Sequence, residues 1–247
     1  MPADLTSWFV SALIVLLAAT LQGITGFGFA LIAVPLLLLV YEPHTAVAIN
    51  IMISIVSLSF LTVKVRQVVI IPVVKNLFYG SLLGIPLGAY IFLHFDVHLL
   101  KLAIGVITVI FSVVLISGLT IKNATGKVWE STVGSISGFL TGSIGMPGPP
   151  IILFLSNQKL AKDHFRATTA AYFVLVYVAS LILLFCLGAL DKSVALRAIS
   201  LVPFAILGGH LGYLVFPLVP QAKFRHGVSL LVLSTALYSV ATAIWHI

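Results

Sequence analysis

The chain alternates long apolar runs with short polar breaks from one end to the other. The runs cover about 8–40, 45–63, 68–93, 99–119, 131–155, 167–188, 194–216 and 228–247, and the breaks hold most of the charge. A helix needs roughly 20 apolar residues to cross a bilayer, so the pattern predicts an all-α polytopic membrane protein. Two runs depart from that regularity. The run at 8–40 is too long for one ordinary span and is interrupted by Gln22-Gly23-Ile24-Thr25-Gly26-Phe27-Gly28. The run at 131–155 carries Gly138, Gly142, Gly145, Met146, Pro147, Gly148, Pro149 and Pro150. Glycine and proline at this density break helices. Each run is therefore read as two short helices meeting at a Gly-rich elbow.

The two elbows correspond. Gly26 and Gly142 lie 116 residues apart, and Pro35 and Pro150 lie 115 apart. Farther on, Gly84-x-x-x-Gly88-x-x-x-Phe92 recurs as Gly208-x-x-x-Gly212-x-x-x-Phe216 at an offset of 124. Matched features in matched order indicate a duplicated unit. They predict a first transmembrane repeat over 1–121, a cytoplasmic linker over 122–127 and a second repeat over 128–247. Each repeat is a broken helical hairpin plus three full spans.

Charge then selects a topology. If every run simply crossed, Lys and Arg would fall almost equally on the two sides. If each broken run enters and leaves on one side, the segments 64–75, 122–130, 156–166 and 217–227 share a side holding 10 of the 13 positive charges. The positive-inside rule favours the second arrangement. It leaves an odd number of full crossings in each half, which makes the repeats inverted and puts both termini on the non-cytoplasmic side of the cytoplasmic (inner) membrane.

Composition narrows the class. Of 247 residues, 61% are hydrophobic and 8% charged, with mean hydropathy +1.23, against roughly 45–50% and about 25% in soluble domains. Eight runs leave no length for an appended nucleotide-binding domain. The net charge of +7 is scattered through short loops with no aromatic-interleaved basic cluster, so nucleic acid is not an expected partner. A single cysteine, Cys186, excludes an intrachain disulfide. Met1–Ser7 contains Asp4 and no Lys or Arg, so the first run is expected to stay in the mature protein.

Non-helical backbone at membrane depth persists only where protein or a water-filled cavity surrounds it. The elbows are therefore expected to meet near the midplane, with the helices after Gly28 and after Gly148-Pro149-Pro150 aiming their N-termini at one place. An N-terminus offers free N–H donors and roughly half a positive charge, so the preferred occupant is a small anion. Gly23, Gly26, Gly28, Gly142, Gly145 and Gly148 would expose bare backbone to it, and Gln22, Thr25, Thr141 and Ser143 add polar groups. The alternative is that these glycines are close helix-packing contacts. Asn50 and, at the repeat-equivalent place, Tyr172 either line the path or bond neighbouring helices. His210, the histidine deepest in an apolar run, is a candidate for carrying a coupled proton or a neutral helix-bonding residue. No cofactor or metal is expected, since His94-x-Asp96-x-His98 has no partner cluster in the sequence. The sequon Asn123-Ala-Thr125 falls on the cytoplasmic side.

Gly23-Ile-Thr-Gly26-Phe-Gly28-Phe-Ala-Leu-Ile-Ala-Val-Pro35 resembles the first-half motif of the sulfite exporter TauE/SafE family, also called the toluene sulfonate uptake permease family. Gly138-Phe-Leu-Thr-Gly142-Ser-Ile-Gly145-Met-Pro-Gly148-Pro-Pro150 resembles its second-half motif, and Arg166-Ala-Thr-Thr-Ala-Ala-Tyr-Phe173 with the Gly208, Gly212 and Arg225 region continues the match. The resemblance implies a duplicated permease moving sulfite, sulfonates or related anions, with export the family's commonest direction. One departure is visible: the family often has a run of glycines before the second proline, whereas Met146-Pro147-Gly148-Pro149 makes a stiffer elbow. The expected mechanism is alternating access, coupled to H⁺ or Na⁺ where a gradient is used, in a monomer or homo-oligomer. Two other classes compete. One is a non-transporting membrane assembly factor. The other is an intramembrane serine hydrolase with a Ser143–His210 dyad, although Gly142-Ser-Ile-Gly145 does not match the Gly-x-Ser-x-Gly elbow.

Overall fold

A computed structural model describes residues 5–117, 126–158 and 160–218. Among them every regular element is helical: α1 (Leu5–Thr25), α2 (Phe29–Leu37), α3 (Pro43–Val65), α4 (Ile71–His94), α5 (Val97–Ser117), α6 (Lys127–Ile144), α7 (Gly148–Asn157), α8 (Lys162–Cys186) and α9 (Lys192–Val215). Single 3₁₀ turns follow α3 and α9. The expected span at 228–247 and the residues Lys122, Asn123, Thr125, Lys159, Lys223 and Arg225 lie outside the described residues.

The helix boundaries follow local chemistry. Pro43 and Pro72 occupy first turns, where a missing N–H loses no bond. Asp96 Oδ1 accepts the Leu99 N–H at 2.8 Å at the start of α5, and Asp191 accepts the Ser193 N–H at 3.1 Å at the start of α9. Asp96 and its neighbour His94 are thus engaged locally, His94 stacking on Tyr90 with ring centroids 4.2 Å apart. Among the described residues five helical stretches are long and apolar enough to cross a membrane: Leu5–Thr25, Pro43–Val68, Ile71–His94, Lys162–Cys186 and Lys192–Leu218. Their outward faces are apolar as well, with Leu83 and Phe185 each 73% exposed, as a lipid-facing surface requires.

Both breaks form, but the expectation of two short helices at each is corrected. The arm before each break is long, 21 residues in α1 and 18 in α6, and the arm after it is short, 9 in α2 and 10 in α7. Gly23 and Gly142 do not break their helices because each is where another helix touches the backbone. A Cβ on Gly23 would sit 2.7 Å from Gly209 O of α9, and one on Gly142 would sit 2.5 Å from Ile85 O of α4.

That contact pattern organises the fold. The two most extensive helix pairs are α4 with α6 and α1 with α9. Side chains at Gly84 and Gly88 would collide with the carbonyls of Ser135 and Phe139, and side chains at Gly208 and Gly212 with those of Leu16 and Thr20. Small residues let backbones close up in this way where apolar burial supplies no drive between helices. Both glycine pairs therefore pack within a single chain. The helices α3 and α8 lie against each other, α3 also touching α9 and α8 touching α4.

Two polar positions assigned from sequence to loops are helical and buried. Glu130 stands in the first turn of α6, 8% exposed, and accepts a hydrogen bond from Asn76 Nδ2 of α4 at 2.6 Å. Arg166, at the end of the polar segment 156–166, lies in α8 and is 2% exposed. The sequence places it in a charged segment, but α8 begins at Lys162 and carries it under the first elbow.

Candidate substrate site at the two elbows

At the first elbow the chain leaves α1 at Thr25 and enters α2 at Phe29. Gly28 makes this possible: it holds φ 94°, a left-handed value, as the residue preceding α2. The Thr25 hydroxyl is engaged locally, donating to Leu21 O at 2.9 Å and accepting the Phe27 N–H at 3.1 Å. The carbonyl of Gly23, in the last turn of α1, accepts a hydrogen bond from the Arg166 guanidinium of α8.

At the second elbow α6 ends on Gly145, whose φ is 70°. Its carbonyl accepts two hydrogen bonds, from Asn50 Nδ2 of α3 at 2.8 Å and from the Tyr177 hydroxyl of α8 at 3.2 Å. Ser137 Oγ donates to Pro147 O at 2.7 Å, so the segment between α6 and α7 is held from three sides. The other hydroxyls turn back on their own helix, Thr141 onto Ser137 O at 2.7 Å and Ser143 onto Phe139 O at 2.8 Å.

Between the elbows is a small cavity lined by Gln22, Gly28, Phe29, Ala30, Leu31, Met146, Gly148, Phe173 and Tyr177. It has room for about one water. The starts of α2 and α7 thus border the same space. The first residues of α2 carry N–H groups with no helical acceptor, the first intrahelical bond being Ile32 N–H to Gly28 O. In α7, Pro149 and Pro150 have no N–H, which leaves fewer donors on that side. Gln22 is 1% exposed and its Oε1 has no hydrogen-bond partner. A buried amide oxygen without a partner is uncommon and calls for an explanation.

The remaining candidates fall elsewhere. Asn50 and Gly145 meet each other rather than the cavity, and Gly26 abuts Arg166. Tyr172 is fully buried; its hydroxyl lies near Ser81 and Ser137 but meets neither in hydrogen-bond geometry. His210 is exposed on α9, its ring edge-on to Phe60 at 6.0 Å. Ser143 faces α4, where its N lies 2.8 Å from a Cβ built on Gly88. Among the described residues no group of three or more His, Cys, Asp or Glu side chains comes together. Sequence reasoning overlooked Tyr177 and Ser137 as elbow-holding groups. Both are ordinary residues inside apolar stretches, and only the position of the break identifies them.

These features define a class: an all-helical, multi-pass membrane protein organised around two broken helices. The family model for sulfite exporter TauE/SafE matches residues 11–239, and the chain belongs to that family. The family implies a membrane permease of the sulfite-exporter type, with a small anionic substrate and a lipid environment. Searches of curated proteins and of solved structures found no match.

Proposed function

We propose that this chain is a secondary transporter for a small sulfur oxyanion, sulfite or a simple sulfonate, and that the anion binds between the elbows. The observation that carries this reading is the buried Gln22 side chain, whose amide oxygen has no partner, in a cavity bordered by the starts of α2 and α7. Two helix N-termini facing one space favour negative charge. A side-chain amide that reorients to present Nε2 adds a donor, since its O and N are nearly the same size. Gln22, Gly28 and Gly148 line the cavity directly. Gly23, Thr25, Gly26, Asn50, Thr141, Gly142, Ser143, Gly145 and Tyr172 do not line it.

A cavity with room for about one water is smaller than a four-atom oxyanion. This conformer is therefore a closed one, and transport needs an opening on each side in turn. The hinge follows from the packing. Repeat one comprises α1–α5, and repeat two begins at α6. Each repeat's glycine-bearing helix, α4 or α9, lies along the broken helix of the other. Rocking these paired units about α3 and α8 exposes the elbows alternately. With this packing we read an inverted duplication over 1–121 and 128–247; non-cytoplasmic termini in the inner membrane rest on the loop charges, and export rests on the family resemblance alone.

The test is flux of labelled sulfite and of methanesulfonate in proteoliposomes, with and without pH and Na⁺ gradients. Saturable flux above that of empty liposomes is the expected result, and its gradient dependence identifies the coupling ion. Dependence on pH would bring His210 forward as the proton carrier. No flux of either anion under any gradient contradicts the proposal.

A further inference from the structure

The two elbows differ in charge, and the difference lies in one residue. Where a helix breaks, a C-terminal end with roughly half a negative charge faces an N-terminal end with roughly half a positive one. At the first elbow these ends are Thr25 and Phe29, separated by three residues. To an anion nearby, the two partial charges largely cancel. A broken helix becomes attractive to an anion only when its carbonyl end is masked.

Each elbow masks it differently. At the second, the exposed carbonyl, Gly145 O, is capped by the neutral donors Asn50 and Tyr177. At the first, Gly23 O is capped by Arg166, a full positive charge. Arg166 is 2% exposed, its guanidinium lies 4.0 Å from the Phe216 ring centroid and 5.6 Å from that of Tyr213, and its Nε has no partner. Asp163, one turn earlier on α8, acts on it through space only, and among the described residues Arg166 makes no ion pair with a carboxylate. The contact is also fixed in place. A Cβ on Gly26 would lie 2.6 Å from Arg166 O, so the elbow rests directly on the backbone of α8.

A buried cation without a carboxylate is costly, by several kcal/mol in general terms, and in a membrane it marks function. We infer that Arg166 is the fixed countercharge of the anion site: by capping the carbonyl end of α1 it leaves the first elbow with net positive charge, and it sets the preference for an anion held on the α2 side of the cavity. Arg166 does not line the cavity, so it acts through the field at the elbow and is a positioning residue. The inference rests on the elbows being the anion site. It adds that the site is charged by one residue, on one side, with the second elbow neutral.

The test uses purified full-length protein and methanesulfonate, a sulfonate that stays a monoanion throughout the working pH range. Arg166→Gln should weaken binding roughly tenfold or more, while Arg166→Lys, which keeps the charge, should stay within about threefold of wild type. Arg166→His supplies the readout that a purely structural role would not move. Its affinity should rise as pH falls from about 8 to about 5.5, across the ordinary imidazole pKa of about 6.5, while wild-type affinity stays level. Because that comparison is made within one folded variant, it decides the matter even if Arg166→Gln fails to fold. Unchanged binding in Arg166→Gln, or equal affinities at both pH values in Arg166→His, overturns the inference, as does wild-type protein that binds neither methanesulfonate, sulfite nor sulfate. Wild-type protein that binds methanesulfonate with this Arg166 dependence but moves no sulfite leaves the countercharge standing and refutes the transport reading alone.

Discussion

Gly26 to Gly28 carry the chain from α1 into α2 under an arginine; Gly145 to Pro147 carry it from α6 into α7 under an asparagine, a tyrosine and a serine. The backbone problem is the same, an exposed carbonyl end inside an apolar slab, where each unsatisfied group costs several kcal/mol. The side-chain answers differ. The second elbow is held by several neutral hydrogen bonds and begins its new helix with two prolines, which makes it the more rigid and the poorer in donors. The first is held from α8 by one charged contact, beside the local bond of the Phe27 N–H to Thr25, and keeps the N–H groups of Phe29, Ala30 and Leu31. Two broken helices in one chain can thus differ, one elbow taking stiffness and the other charge.

The comparison can be broken most severely at the frame that both elbows share. Gly142→Leu would drive a side chain into the backbone of α4 at Ile85 and Ala89. Overpacking of that kind should cost about 3 kcal/mol or more, visible as loss of the monodisperse chromatographic peak. The rigidity of the second elbow is probed next by Gly145→Ala. Its left-handed φ and its contacts at 3.0 Å with Asn50 Nδ2 and 3.1 Å with Val47 Cγ1 act together, for about 2–3 kcal/mol. Gly188→Ala has the same φ of 70° and nothing within 4 Å, so it isolates backbone strain at about 1 kcal/mol. Thermal unfolding of the two proteins checks the difference. Smaller still are the two donors to Gly145 O. Asn50→Ala removes the shorter bond and should lower stability by about 1 kcal/mol. Tyr177→Phe, with Asn50 still in place, should lower it by about 0.6 kcal/mol or less. If Tyr177→Phe proves the worse of the two, the tyrosine rather than the asparagine holds the elbow.

Much of this architecture was legible in the sequence because breaks and close contacts have few chemical solutions. The density of glycine and proline at 22–28 and 138–150 marked both elbows, and Gly84/Gly88 with Gly208/Gly212 marked the tight helix faces. Which helices those faces meet was not legible. Periodicity within one run says nothing of its partner, and the pairing of α4 with α6 and α1 with α9 depends on the whole fold. Arg166 was misplaced for a similar reason. Counting loop charges treats every Lys and Arg alike, whereas burial depends on where α8 starts, and Ala161 before it supplies no side-chain cap to announce that start. The small residues after it, Ala167-Thr168-Thr169-Ala170-Ala171, are the signal of close packing that was available. For His210 the surrounding run is apolar on every face, so depth in the sequence did not report which side of α9 the ring occupies.

The most direct test of the account compares sulfite flux in proteoliposomes of wild type and Gln22→Leu, reconstituted at equal protein. Leucine keeps the side chain near its present volume and removes the amide whose oxygen, among the described residues lining the cavity, is buried without a partner. The account predicts saturable flux in wild type and a loss of roughly tenfold or more in the variant, from removal of a polar contact in a buried site. Wild-type flux that Gln22→Leu leaves unchanged would contradict a substrate site between the elbows.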